Sequence, residues 1–142
     1  MTQRKADTGL DFEVLRRGIE RCDPDLVLGF YAADARLSIV NAESPHASPF
    51  ELRGSAEIAK HLRTVFGPGT THRVEREEDV SEEDGLRFRE VCGYPDGGRV
   101  VVDTTLKVRG GKIVRQVDVV ARPSGPTTPQ EKRRAKLWTV RG

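Results

Sequence analysis

Two aspartates, Asp103 and Asp118, are the side chains best placed to do chemistry. Between them lies Gly110-Gly111, whose composition favours a two-residue hairpin turn. If Arg109 faces Lys112 across that turn and the ladder runs on unbroken, Asp103 falls directly opposite Asp118. Facing side chains on neighbouring strands have Cβ atoms about 5 Å apart, and like charges so placed destabilise a sheet. In a partly dry pocket the two carboxyls would titrate together, one keeping its proton to high pH. A carboxylic acid beside a carboxylate is equipment for general acid/base catalysis, with Asp118 as the acid/base and Asp103 as its electrostatic partner.

The same register sorts the neighbours. Val101 with Val120 and Thr105 with Gln116 share the face of the two aspartates, so Gln116 and Thr105 would orient a ligand and the valines would wall it. The opposite face pairs Val100 with Ala121, Val102 with Val119, Thr104 with Val117, Leu106 with Arg115 and Val108 with Ile113, and is mostly apolar. That pattern has a plainer reading, in which the mixed face is wet and the apolar face is the core. Phe30 and Tyr31 add candidate apolar wall, Tyr31 with a hydroxyl that could reach the cavity from the end of a helix. His72 opens a strand and could reach a pocket mouth. His61 is expected on the outer edge of a helix and His46 in a proline-flanked loop. The three histidines show no metal-ligand spacing, and neither a metal nor a cofactor is expected. Cys92 has no evident base beside it and is not expected to act as a nucleophile.

Periodicity supplies the elements that would carry these groups. Leu10, Val14, Leu15, Ile19 and Cys22 recur at helical spacing over 10–22. Asp23-Pro24 then supplies a cap and a proline at the first helical position, opening a second helix that carries Leu26, Val27, Phe30 and Tyr31. A strand is expected over 36–41 and a short extended piece over 50–53. Gly54-Ser55 introduces a third helix with Ile58, Ala59, Leu62, Val65 and Phe66 on one stripe, stopped by Gly67-Pro68-Gly69. From there to Arg122, alternation and the turn signals at 83–85, 95–98 and 110–111 imply four antiparallel strands near 70–80, 85–94, 99–109 and 112–122. Helices first and a sheet after them make an α+β fold.

Composition bounds the class of protein. The chain has 142 residues, 24 Lys and Arg against 22 Asp and Glu, and two cysteines, enough for one domain and too few cysteines for a disulfide framework. A reducing cytoplasm is the expected setting. No run approaches the roughly 18 apolar residues of a membrane span, and the first residues lack a signal-peptide core. The domain is expected over 1–122, followed over 123–142 by a Pro/Gly-containing linker and a basic tail. That tail bears Lys132, Arg133, Arg134, Lys136 and Arg141 against Glu131, so it is +4 and the preceding 122 residues are −2. A nearly neutral body argues against a nucleic-acid-binding domain. Trp138 sits in the tail with Leu137 and Val140 and could dock on the body or on a partner subunit.

Three segments resemble the SnoaL-like branch of the nuclear transport factor 2-like superfamily: 25–35 (DLVLGFYAADA), 52–58 (LRGSAEI) and 110–115 (GGKIVR). The resemblance implies a cone, in which a curved antiparallel sheet wraps three N-terminal helices around an apolar pocket. It also implies a homodimer through the sheet and a hydrophobic small molecule as ligand. Among the activities of that superfamily, the isomerase base would fall at Ile39, so it is missing, and the isomerase's second acid would fall near Thr104 or Asp103. Of the groups used by limonene-type epoxide hydrolases, Val91, Gly93, Leu37 and Ile39 replace four, and only the last-strand aspartate remains, as Asp118. The expectation is therefore a pocket that binds a hydrophobic molecule. It would serve either isomerisation, cyclisation or epoxide opening by aspartate acid/base chemistry, or ligand binding and dimerisation without catalysis.

Overall fold

The computed structural model describes residues 9–44, 46–80 and 85–122, with the side chains of 76–80 excepted. The expected tail at 123–142, Trp138, and the acidic turn at 82–84 lie outside the described residues. Helix α1 (Phe12–Glu20) is capped by Asp11, whose carboxylate accepts from the Val14 N–H. Helix α2 (Pro24–Leu28) is capped by Asp23 in the same way, with Pro24 in the first turn where its missing N–H costs nothing. Helix α3 (Ser55–Val65) starts after Gly54, whose φ of 89° suits a residue without Cβ. Glu57 then accepts from the Arg53 N–H and holds the chain entering that helix.

Six strands follow the order β2-β1-β6-β5-β4-β3 in one sheet: β1 (Tyr31–Asn41), β2 (Phe50–Arg53), β3 (Thr71–Val80), β4 (Gly85–Gly93), β5 (Arg99–Arg109) and β6 (Lys112–Ala121). The four-strand meander is present, and the α+β class with a curved, unclosed sheet holds. The sheet is mixed rather than wholly antiparallel, because β6 returns alongside β1 in parallel. The second helix is shorter than the sequence pattern suggests: it ends at Leu28, and Tyr31 opens β1 instead of closing α2. Pairing explains this boundary, since the Ile113 N–H donates to the Phe30 carbonyl at 2.8 Å and draws the chain into the sheet there.

The core lies between the helices and the inner face of the sheet. Leu15 and Ile19 of α1 and Ile58 and Leu62 of α3 are buried against Leu37, Phe88, Val102, Leu106, Ile113 and other strand residues. Fully burying one such side chain contributes about 1.5–3 kcal/mol, so this face fixes which side of each strand points inward.

The register of β5 against β6 is the decisive local feature. Arg109 pairs with Lys112 and Val108 with Ile113, as a two-residue turn requires, but Lys107 then pairs with Arg115. Val114 is the extra residue of a bulge, and past it every pair is shifted by one. A one-residue slip in a period-two element exchanges the faces. Thr104, not Asp103, is therefore opposite Asp118, and Asp103 is opposite Val119.

Candidate functional site

The slip divides the two aspartates. On β5 the even-numbered residues Val100 to Val108 point inward, while on β6, beyond the bulge, Gln116, Asp118 and Val120 do. Each strand thus contributes a different half of the faces expected from an unbroken ladder. Asp103 lies on the outer face, where both its carboxylate oxygens pair with Arg89 at 2.9 and 3.3 Å and about half its side chain is exposed. It does not meet Asp118. Thr105 and Val101 are on that outer face too, half-buried, and are not part of the lining of the inner cavity. Val120 is inward and buried in the core but away from the cavity lining, and Phe30 packs against the core edge.

What the inner face does assemble is a polar chain in an apolar cavity. The Tyr31 hydroxyl donates to Gln116 Oε1 at 2.5 Å, the Gln116 amide donates to Asp118 Oδ1 at 2.9 Å, and Thr104 Oγ1 donates to the same oxygen at 2.9 Å. Asp118 Oδ2 accepts no hydrogen bond from the described residues, so one carboxyl oxygen is left for the cavity that the residue lines. Burial pushes the Asp118 carboxyl up to about 7, opposed by the hydrogen bonds from Gln116 and Thr104 and assisted by the nearby charge of Glu90. Burial likewise raises the Tyr31 phenol, so it stays a neutral donor.

On the other flank of β5, strands β3 and β4 bring a second polar group to the same space. His72 pairs in register with Cys92, and Glu90 projects from the same face two residues before it. His72 Nδ1 meets Glu90 Oε2 at 2.5 Å, His72 Nε2 meets the Val65 carbonyl at 2.9 Å, and Cys92 Sγ lies 3.6 Å from Glu90 Oε2. A carbonyl oxygen only accepts, so Nε2 carries a hydrogen. The Phe66 ring meets the His72 ring edge-on at 4.7 Å. Burial, with Glu90 nearby, raises the Cys92 thiol well above its ordinary range.

These two groups, with Leu15, Ile19, Leu37, Phe88, Val102 and Leu106, enclose a cavity of about 60 Å³. That is room for a few waters or a fragment of a few heavy atoms, and well below the roughly 300 Å³ at which drug-sized pockets begin. His61 lines this cavity rather than the outer edge of α3, and burial lowers its pKa, favouring the neutral ring. His46 is exposed, as its loop position implies.

Sequence reasoning thus missed Thr104, Glu90, Cys92 and His61 as site residues. Glu90 and Cys92 share strand parity, which was legible. Their meeting with His72 depends on a bulge at Glu75 that shifts β3 against β4 by one residue. No composition signal marks that bulge.

No protein-family profile and no curated protein sequence matches this chain. Solved structures do. A ketosteroid isomerase-like protein from Kribbella flavida DSM 17836 superposes with a TM-score of 0.63 at 17% identity, over 85% of this chain and 82% of that one. An NTF2-like protein of unknown function from Mesorhizobium loti gives a TM-score of 0.65 at 19% identity, over 84% and 96% of the two chains. A de novo designed protein with a curved β-sheet gives 0.63 at 16% identity, over 96% and 99%. The chain has the nuclear transport factor 2-like fold, and likeness at this level of identity shows the fold alone.

Proposed function

We propose that this chain binds a small organic molecule with an apolar body and a hydrogen-bonding head in the inner cavity, and that Asp118 exchanges a proton with it. One observation carries the reading: a carboxyl group poised near neutral pH, anchored through Oδ1 by Thr104 and Gln116, with Oδ2 left to an apolar cavity. A group whose pKa lies close to the working pH is present in both protonation states and can take and return a proton. Proton transfer at carbon next to a carbonyl, as in isomerisation or cyclisation, and protonation of an epoxide oxygen both need this. The cavity volume selects fragments of a few heavy atoms unless the helices part from the sheet.

Small cyclic enones and epoxides are the probes that test it, with binding read from amide chemical shifts and turnover from deuterium exchange at the carbon next to the carbonyl or from epoxide loss. Asp118→Asn keeps the size of the side chain and removes the transferable proton. It is expected to abolish exchange and ring opening while the fragment still binds. Turnover unchanged in this variant ends the acid/base reading.

The small volume also supports a second reading, a ligand-binding or dimerising domain without catalysis, for which the same probes bind and no probe is turned over. In either case a homodimer through the outer face of β5 and β6 belongs to the proposal. Val101, Val117 and Val119 are half-buried there, and sedimentation at twice the chain mass of 15.8 kDa is the expected result. The free thiols of Cys22 and Cys92 fit a reducing cytoplasm. Among the described residues no helix is long and apolar enough to cross a membrane.

A further inference from the structure

His72, Glu90 and Cys92 make no hydrogen bond to Asp118, yet they place three different metal-ligating atoms at one spot on the cavity wall. We propose that His72 Nδ1, Glu90 Oε2 and Cys92 Sγ form a binding site for one Zn²⁺ ion.

The three atoms lie within 4.8 Å of one another on residues that are buried or nearly so. Zinc bonds of about 2.0–2.3 Å in a tetrahedron set ligand atoms roughly 3.4–3.8 Å apart. The Cys92–Glu90 separation of 3.6 Å already matches that edge. The His72–Glu90 contact at 2.5 Å opens by about 1 Å when an ion enters between the two atoms, a movement within reach of a χ rotation of Glu90.

Three independent features of the surroundings favour the ion. His72 Nε2 donates to the Val65 carbonyl, which fixes the ring and directs the Nδ1 lone pair at the other two ligands. Metal-binding histidines characteristically carry such a second hydrogen bond. The second feature is charge. A neutral imidazole, a carboxylate and a thiolate sum to −2 and neutralise one divalent cation. The third is access. The cluster lines the cavity, so a fourth coordination position faces open space, and three protein ligands with one such position is the composition of a catalytic rather than a structural zinc site. Nitrogen, oxygen and sulfur together suit zinc better than magnesium or calcium, which take oxygen ligands.

The experiment uses the full chain, stripped with a chelator and titrated with Co²⁺ as a spectroscopic stand-in for zinc. The expected result is one Co²⁺ per chain, a thiolate-to-cobalt charge-transfer band, and displacement of that band by an equivalent of Zn²⁺. The chain has two cysteines, so Cys22→Ser identifies the ligand without touching the cluster: the band must survive it. Glu90→Gln retains shape and removes the charged oxygen, and zinc competition should then show a loss of affinity of at least about tenfold, since even outer partners of metal ligands carry 10–100-fold. Absence of the band in the unaltered chain, its loss in Cys22→Ser, or equal zinc affinity in Glu90→Gln each overturns the assignment. Asp118 is not a ligand in this site, so the result is separable from the proton-transfer proposal.

Discussion

Replacing Asp118 by Asn tests the burial argument in its thermodynamic form. The carboxyl titrates near 3.8 in the unfolded chain and at about 7 in the folded one. A folded-state pKa raised above the unfolded value means that the folded protein holds the proton more tightly. The stabilisation from that proton is complete below about pH 4 and is lost as pH rises through 7. A shift of about three units corresponds to about 4 kcal/mol between these limits. The amide of Asn is uncharged throughout, and its oxygen can accept from Thr104 and Gln116 as Asp118 Oδ1 does.

Urea denaturation of the original chain and of Asp118→Asn at a series of pH values from 4 to 9 therefore isolates this one group. All other titrations are common to both proteins and cancel in the difference. The variant should be close to the original in stability near pH 4 and more stable by about 4 kcal/mol at pH 9, the difference growing between about pH 4 and 7 and levelling off above 7. Adding Thr104→Val to the original chain should move that levelling-off point upward, because it removes a donor that favours the carboxylate. A stability difference that stays within about 1 kcal/mol across the range would refute the reasoning, because it would mean that Asp118 is solvated in the folded state.

Two further expectations follow from the same geometry. Asp103→Asn breaks an exposed ion pair with Arg89 and should leave the urea midpoint nearly unchanged, with no effect on the Asp118 titration; a shifted Asp118 midpoint would mean that the two aspartates do meet. Tyr31→Phe leaves Gln116 Oε1 without its donor in a buried position, and should lower stability by about 1–3 kcal/mol at every pH between 4 and 9.

The linear pattern of the chain determined its elements and its class. The caps at Asp11 and Asp23, the apolar stripe of α3 and the alternating runs after Thr71 are local signals, each readable within a dozen residues, and together they specify helices followed by a meander. The polar character of the last strand was also legible, and with it the interest of Gln116 and Asp118. Which groups would stand beside them was decided only in three dimensions. An unbroken ladder places Asp103 against Asp118; one extra residue at Val114 replaces Asp103 by Thr104 and turns a coupled carboxylate pair into a single half-buried acid with a hydroxyl donor. A second bulge at Glu75 sets His72 against Cys92 and Glu90. The physical reason is that strand side chains alternate with a period of two, so a single inserted residue inverts a face, while the energy that selects the insertion is spread over the packing of the whole inner surface. The partners of a side chain are therefore settled by the core that closes over the sheet, including the short helices whose Leu15, Ile19 and Leu62 line the same cavity.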